Sequence, residues 1–179
     1  MDNPQYIGLL NQVFGLIDPE GLKEALSATK TSERVDYIQD LIRTAIIKSS
    51  IGKYKGNPYY YNGRIYEEMS YDEFGNLVYD LMKKCDLPRG DYGRVEGVIR
   101  VCKRVIAGKE LRPDRSVVVF KNCVLDTKTR ITHKFSPDFA QMTSVDYSYN
   151  KDEVAINWSM FLDQVLPDRR EQKILQEAL

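Results

Sequence analysis

Tyr59-Tyr60-Tyr61-Asn62-Gly63-Arg64-Ile65-Tyr66-Glu67-Glu68-Met69-Ser70-Tyr71-Asp72-Glu73-Phe74 changes period halfway along, and that change decides the fold. Up to Tyr66 the stretch is β-prone aromatics around Asn-Gly, a pair that tolerates the positive φ of a tight turn, so it reads as a hairpin. From Ser70 it reads as the start of a helix. The serine oxygen can accept the amide three residues on, and Glu73 can reach back to the serine amide: a capping box. Tyr71, Phe74, Val78, Leu81, Met82 and Cys85 then recur at helical spacing. Strand signals and helix signals side by side imply an α+β chain.

Downstream, Leu87-Pro88-Arg89-Gly90 stops that helix and Asp91 can cap the next. Val95, Val98, Ile99, Cys102, Val105 and Ile106 form its apolar stripe, and Gly108 suits its end. Ser116 to Phe120 reads as a buried strand and Arg130 to Phe135 as a second, joined through Asp126-Thr127-Lys128-Thr129. Helices return at about Val154 to Val165 and from Arg169 onward. Upstream, Gln5 to Leu16 is a helix, Asp18-Pro19-Glu20 opens another, and Thr31 or Ser32 can cap a third. Val35, Ile38, Leu41, Ile42, Ala45 and Ile46 are its apolar face. Gly52 to Pro58 reads as a polar break.

The expected organisation is therefore a helical lead-in over 1–52, an α+β body over 53–150 and C-terminal helices over 151–179. The fold is mainly helical, with short antiparallel strands. The body's order of strand, helix, helix, strand, strand is that of a winged helix. That subsidiary expectation requires the Arg64–Tyr66 strand to pair with the 116–135 hairpin.

At 179 residues the chain has room for one domain and a helical appendage. No apolar run approaches the roughly 20 residues of a membrane span, and Met1-Asp2-Asn3-Pro4 is unlike a signal peptide, so a cytoplasmic protein with no membrane partner is expected. Cys85, Cys102 and Cys123 are far apart and odd in number, which fits reduced, packed thiols. One histidine and no C-x-x-C pair argue against zinc. Net charge is zero, yet residues 83–134 hold 14 Lys and Arg against 6 Asp and Glu, and the remainder holds 12 against 20. A basic middle between acidic ends suits a polyanion or an acidic partner.

The candidate DNA-binding residues are Arg94, Arg100, Lys103 and Arg104 on one helix, with Arg112 and Arg115 after it, and Lys121, Lys128, Arg130 and Lys134 on the following hairpin. Long cations can neutralise phosphates and release counterions without reading sequence. A solvated helix face is the plain alternative. The tyrosines at 59, 60, 61, 66 and 71 offer stacking faces for bases, or are half-buried sheet residues. His133 and Cys123 lack partners for catalysis, and Asp126, Asp138 and Asp146 read as turn residues rather than a magnesium site. No catalytic residue, metal site or cofactor is assigned. Gly52-Lys53-Tyr54-Lys55-Gly56 lacks the order of a phosphate loop, so the chain is not expected to be an enzyme by itself.

Several motifs follow one another along the chain. They are Tyr61-Asn62-Gly63 through Glu68, Phe120-Lys121-Asn122-Cys123-Val124-Leu125-Asp126, Ser136-Pro137-Asp138-Phe139, Asp146-Tyr147-Ser148-Tyr149, Trp158 with Phe161-Leu162, and Leu175-Gln176-Glu177. This order, over about Tyr59 to Leu179, resembles the phage and plasmid primase–helicase family. The similar region is the one poxvirus-type members carry just before a superfamily-three helicase motor. Cys123 stands where such proteins usually have glycine, so a position needing positive φ would be strained. The resemblance implies a non-catalytic linker between primase and motor, with a continuation into the ATPase domain. It also implies a ring-type homo-oligomer and contact with single-stranded or forked DNA. A protein–protein collar without DNA affinity is the alternative.

Overall fold

The computed structural model describes residues 4–28, 30–86, 92–153, 156–166 and 168–178; the side chains of 31, 92–94, 156–158 and 176–178 also lie outside the description. Among these residues the chain forms two compact units, 1–147 and 148–179. The fold is mixed α and β, mainly helical, with two small antiparallel sheets.

The first unit opens with α1 (Pro4–Phe14), α2 (Pro19–Ser27) and α3 (Thr31–Lys48). Asp18 caps α2, accepting the Glu20 amide at 3.2 Å, with Pro19 in the first turn, where its missing N–H costs little. α3 starts at Thr31 with Lys30 at its cap position, and no side chain caps it, contrary to the expected Thr31 or Ser32. Its apolar face behaves as the spacing requires: Ile38, Ile42, Ala45 and Ile46 are fully buried.

Ile51 to Tyr61 departs from the expected polar break. β1 (Ile51–Tyr54) and β2 (Asn57–Tyr61) form a hairpin through Lys55 and Gly56, both at positive φ (47° and 95°), as a two-residue turn demands. Pro58 sits inside β2 opposite Lys53. There its missing donor is harmless, because Lys53 turns its own amide and carbonyl to Lys109 and Leu111 (2.8 and 2.7 Å). Close approach of that segment requires Gly52: a Cβ there would lie 2.6 Å from Leu111 Cδ2 and 2.9 Å from the Lys109 carbonyl.

β3 (Tyr66–Glu68) pairs with β2, with Tyr61 opposite Tyr66. The expected hairpin is present, but it turns through Asn62–Ile65 rather than through a tight Asn-Gly pair. Gly63 takes φ 100°, and the Asn62 carboxamide oxygen accepts the amides of Arg64 and Ile65. α4 (Tyr71–Lys84) carries the predicted capping box: the Glu73 amide donates to Ser70 Oγ at 3.1 Å and the Ser70 amide to Glu73 at 2.7 Å. The expected helix stop at 87–90 and the Asp91 cap lie outside the described residues. α5 (Tyr92–Ala107) buries Val98, Cys102 and Ile106 completely.

One apolar cluster runs from Leu9 and Val13 of α1 through Ile38, Ile42 and Ile46 of α3 to Phe74, Leu77 and Leu81 of α4 and Val98, Cys102 and Ile106 of α5. It crosses residue 52, where the sequence reading divides lead-in from body. Each such side chain contributes about 1.5–3 kcal/mol on burial, so the first three helices are held by the same core as α4 and α5.

The second sheet is a meander of β4 (Val117–Val119), β5 (Val124–Asp126) and β6 (Thr132–His133). The sequence reading omits β5 and pairs the flanking segments directly; here β5 lies between them, with Val119 opposite Val124 and Val124 opposite His133. β3 belongs to the other sheet and does not pair with this one, so the winged-helix expectation is wrong. Ile65, Phe135 and Phe139 cover the small core of Val117, Val119 and Val124. Single backbone bonds at Tyr66–Gln141 and Asp114–Phe139 pin the loops around it. Cys123 is not among the residues at positive φ, so cysteine is unstrained there.

The second unit contains α6 (Ile156–Val165) and α7 (Arg169–Ala178). Asp168 accepts the Arg170 amide at 2.8 Å, and Gln172 Nε2 donates to Asp163 and to the Leu166 carbonyl, fastening one helix to the other. Trp158 lies outside the described side chains. Among the described residues no helix is long and apolar enough to cross a membrane.

Candidate nucleic-acid interface

α5 turns Val98, Cys102 and Ile106 inward at four-residue spacing, which puts Arg100 and Arg104, two residues on from Val98 and Cys102, on the opposite face. Arg100 and Arg104, one turn apart, are exposed, and Lys103 beside them is half-exposed. Among the described residues none of the three has a carboxylate within ion-pair distance. The Lys103 ammonium instead lies 5.4 Å from the centroid of the Tyr71 ring on α4. Arg100 and Lys103 open onto a groove of about 620 Å³ between α4 and α5, with Tyr71, Asp72, Gly75, Asn76 and Tyr79 on the α4 side and Val95, Glu96 and Ile99 on the α5 side. The side chain of Arg94 lies outside the described residues.

The four hairpin cations are distributed differently. Lys121 is in the β4–β5 turn and Lys134 follows β6, at the same end of the sheet by register. Lys128 and Arg130 lie in the β5–β6 turn at the opposite end, separated by the three residues of β5, roughly 10 Å at strand rise. That turn is rigid. The Asp126 carboxylate accepts the amides of Lys128 and Thr129 (2.8 and 3.2 Å), which hold it below its usual pKa, and Arg130 adopts φ 61°. The structure thus brings Arg100, Lys103 and Arg104 together on α5 and splits the hairpin cations between two ends; none of those four lines the α4–α5 groove.

The clustered tyrosines are tied into the fold. Tyr66 is buried, and the hydroxyls of Tyr59, Tyr60, Tyr61 and Tyr71 donate to Glu68, Glu67, Gly63 and Gly56. Burial and the adjacent Glu67 carboxylate push the Tyr60 hydroxyl well above its ordinary pKa. The aromatic residue that sequence reading missed is Tyr79, 37% exposed at the groove, with the Lys83 ammonium 4.3 Å from its ring centroid. Only its place at the eighth residue after Tyr71 hinted that both share one side of α4.

Other cations serve the fold, Lys109 and Arg34 among them. Lys109 donates to the carbonyls of Ile46, Ile47 and Ser49 (3.2, 3.1 and 2.6 Å) and so caps the C-terminus of α3; burial pulls its pKa below the ordinary value. Arg34 reaches the Asp86 carbonyl at the end of α4 at 2.9 Å. Asp138 bonds Ser136, as turn chemistry predicts, and the His133 ring lies 5.6 Å from Phe139. Among the described residues no group of three His, Cys, Asp or Glu side chains could hold a metal ion.

A family model described as D5 N terminal like matches residues 20–167. The match begins at α2, upstream of the Tyr59 start read from the motifs, and ends before Leu175-Gln176-Glu177. No curated protein and no solved structure matches the chain.

Proposed function

The chain belongs to the D5 N-terminal-like family, a region found in phage and plasmid primase–helicase proteins, and on that premise we propose that it is the non-catalytic part coupling primase to helicase motor. In this reading it works in the cytoplasm, within a ring of copies, beside the ATPase domain of the same protein. It contacts single-stranded or forked DNA with little sequence preference.

The observation that carries DNA contact is the α5 face. Arg100, Lys103 and Arg104 lie within one turn and lack carboxylate partners among the described residues. Cations left unpaired by the fold are free to take phosphates, and each phosphate contact adds to the salt dependence of binding. Lys121, Lys128, Arg130 and Lys134, with Arg94, extend the basic surface in this proposal. Replacing Arg100, Lys103 and Arg104 together with glutamate should weaken DNA binding more than tenfold and lower the salt slope by about 2 for a single strand. Fluorescence anisotropy with labelled DNA reads both, and unchanged affinity would refute the DNA assignment.

A second reading, a protein–protein collar, has its own support. Met160, Phe161, Val165 and Ile174 on α6 and α7 are 49–65% exposed, more apolar surface than two short helices ordinarily leave in water. Concentration-dependent oligomers without DNA affinity would favour it.

A further inference from the structure

We infer that Tyr147 is a stacking platform for an unpaired base of single-stranded DNA. The inference rests on the proposed DNA contact and adds to it a residue that holds the base where the cations hold phosphate.

The tyrosines between 59 and 71 are engaged by the fold. Tyr147 is 64% exposed, the most exposed large hydrophobic described in the first unit. Its place is nonetheless fixed. Residues 145–147 run beside the end of β4: the Val145 amide donates to the Val119 carbonyl at 2.9 Å, and the Lys121 amide donates to the Tyr147 carbonyl at 3.0 Å. The Arg64 guanidinium, from the turn between β2 and β3, donates to the Val145 carbonyl at 2.7 Å. The Phe120 ring meets Tyr147 edge-to-face, with centroids 5.7 Å apart and planes at 69°. Such a contact covers at most one face of either ring. A ring held in place and open to water can stack a base with little further loss of side-chain freedom.

The charges beside the ring select the partner. Lys121 shares one of those backbone bonds, and Lys134 follows β6 at the same end of the sheet. Both are exposed, and among the described residues neither has a carboxylate within ion-pair distance. Against them stands Asp146, the neighbour of Tyr147 in the chain. A matching partner offers a flat apolar face and an anion together. Single-stranded DNA alternates bases with phosphates and can splay a base onto an aromatic ring, whereas a duplex keeps its base faces inside the stack. Stacking asks only for a π-face, so the site accepts any base.

The test is anisotropy of the full chain with labelled DNA of equal length: a single strand, its duplex, and a strand of abasic sugar-phosphate. Tyr147→Ala should weaken single-strand binding about five- to hundredfold, the worth of one stacked base, and leave the salt slope in place. Tyr147→Phe, which keeps the ring, should bind within about twofold of the parent chain. The duplex and the abasic strand should not distinguish Tyr147→Ala from the parent chain, since neither brings an unpaired base to the ring. Unchanged single-strand affinity in Tyr147→Ala would overturn the stacking site and leave the DNA-contact reading, which stands on the α5 cations, in place. An equal loss on all the strands would also overturn it, because the ring would then not be sensing bases. A parent chain that binds no strand at low salt would remove both readings, and the exposed ring would then fit a protein partner.

Discussion

Gly52 shows how a single missing side chain positions the site. The segment after α5 returns along β1 because Lys53 trades backbone bonds with Lys109 and Leu111, and that return fixes where α5 ends. Gly52→Ala would push Cβ against a carbonyl oxygen, which cannot rotate away, so we expect about 1–3 kcal/mol of lost stability by denaturant unfolding. A second residue-scale consequence concerns pH. Cys85 and Cys102 are fully buried, and desolvation raises their thiols to about 11 and about 12 from an ordinary 9.0. Below pH 9 both thiols are protonated in the folded and the unfolded chain, so they make stability no more or less pH-dependent. Between 9 and about 12 the unfolded chain releases protons that the folded chain retains, so stability falls as pH rises. Tyr6 and Tyr60, raised by burial and by Asp80 and Glu67, add to the same fall. Unfolding free energy measured across pH 8 to 11 should decline above 9, and Cys102→Ala should make that decline shallower.

At the scale of elements, what was legible in the sequence is what short-range chemistry determines. α2 and α4 announce themselves through Asp18-Pro19 and through Ser70 with Glu73, and both caps form. Ser70→Ala removes one of the two reciprocal bonds and should cost about 1 kcal/mol in thermal or denaturant unfolding, with the helix retained. β1 and β5 were not legible. β1 turns at Lys55, a residue that rarely takes positive φ, where Asn or Asp would have advertised the hairpin. β5 is three residues long and becomes a strand only because β4 and β6 flank it. The winged-helix expectation failed for a related reason. Element order leaves open which strand pairs with which, and β3 joined the earlier sheet through Tyr61 and Tyr66. The cationic face of α5 was legible because 3.6-residue periodicity alone sends Arg100 and Arg104 outward. The groove was not, since it exists only once α4 and α5 pack and Tyr79 comes to line it together with Ile99 and Arg100.

At the scale of the whole molecule, the basic middle and acidic remainder acquire a physical sense. The acidic groups include Glu67 and Glu68, which accept from hydroxyls and amides in and beside the first sheet, while among the described residues Arg100, Lys103 and Arg104 have no carboxylate within ion-pair distance. The D5 N-terminal-like family to which the chain belongs is found in phage and plasmid primase–helicase proteins. The central claim is that the α5 surface lies on the path of the DNA. Its most direct test is the affinity of the chain for labelled single-stranded, double-stranded and forked DNA, measured from low to physiological salt. If the α5 surface does lie there, single-stranded and forked DNA bind with an affinity that weakens steeply as salt rises, with a log–log slope of about −2 or steeper, as three or more phosphate contacts require. Absence of binding at low salt, or affinity indifferent to salt, would contradict it.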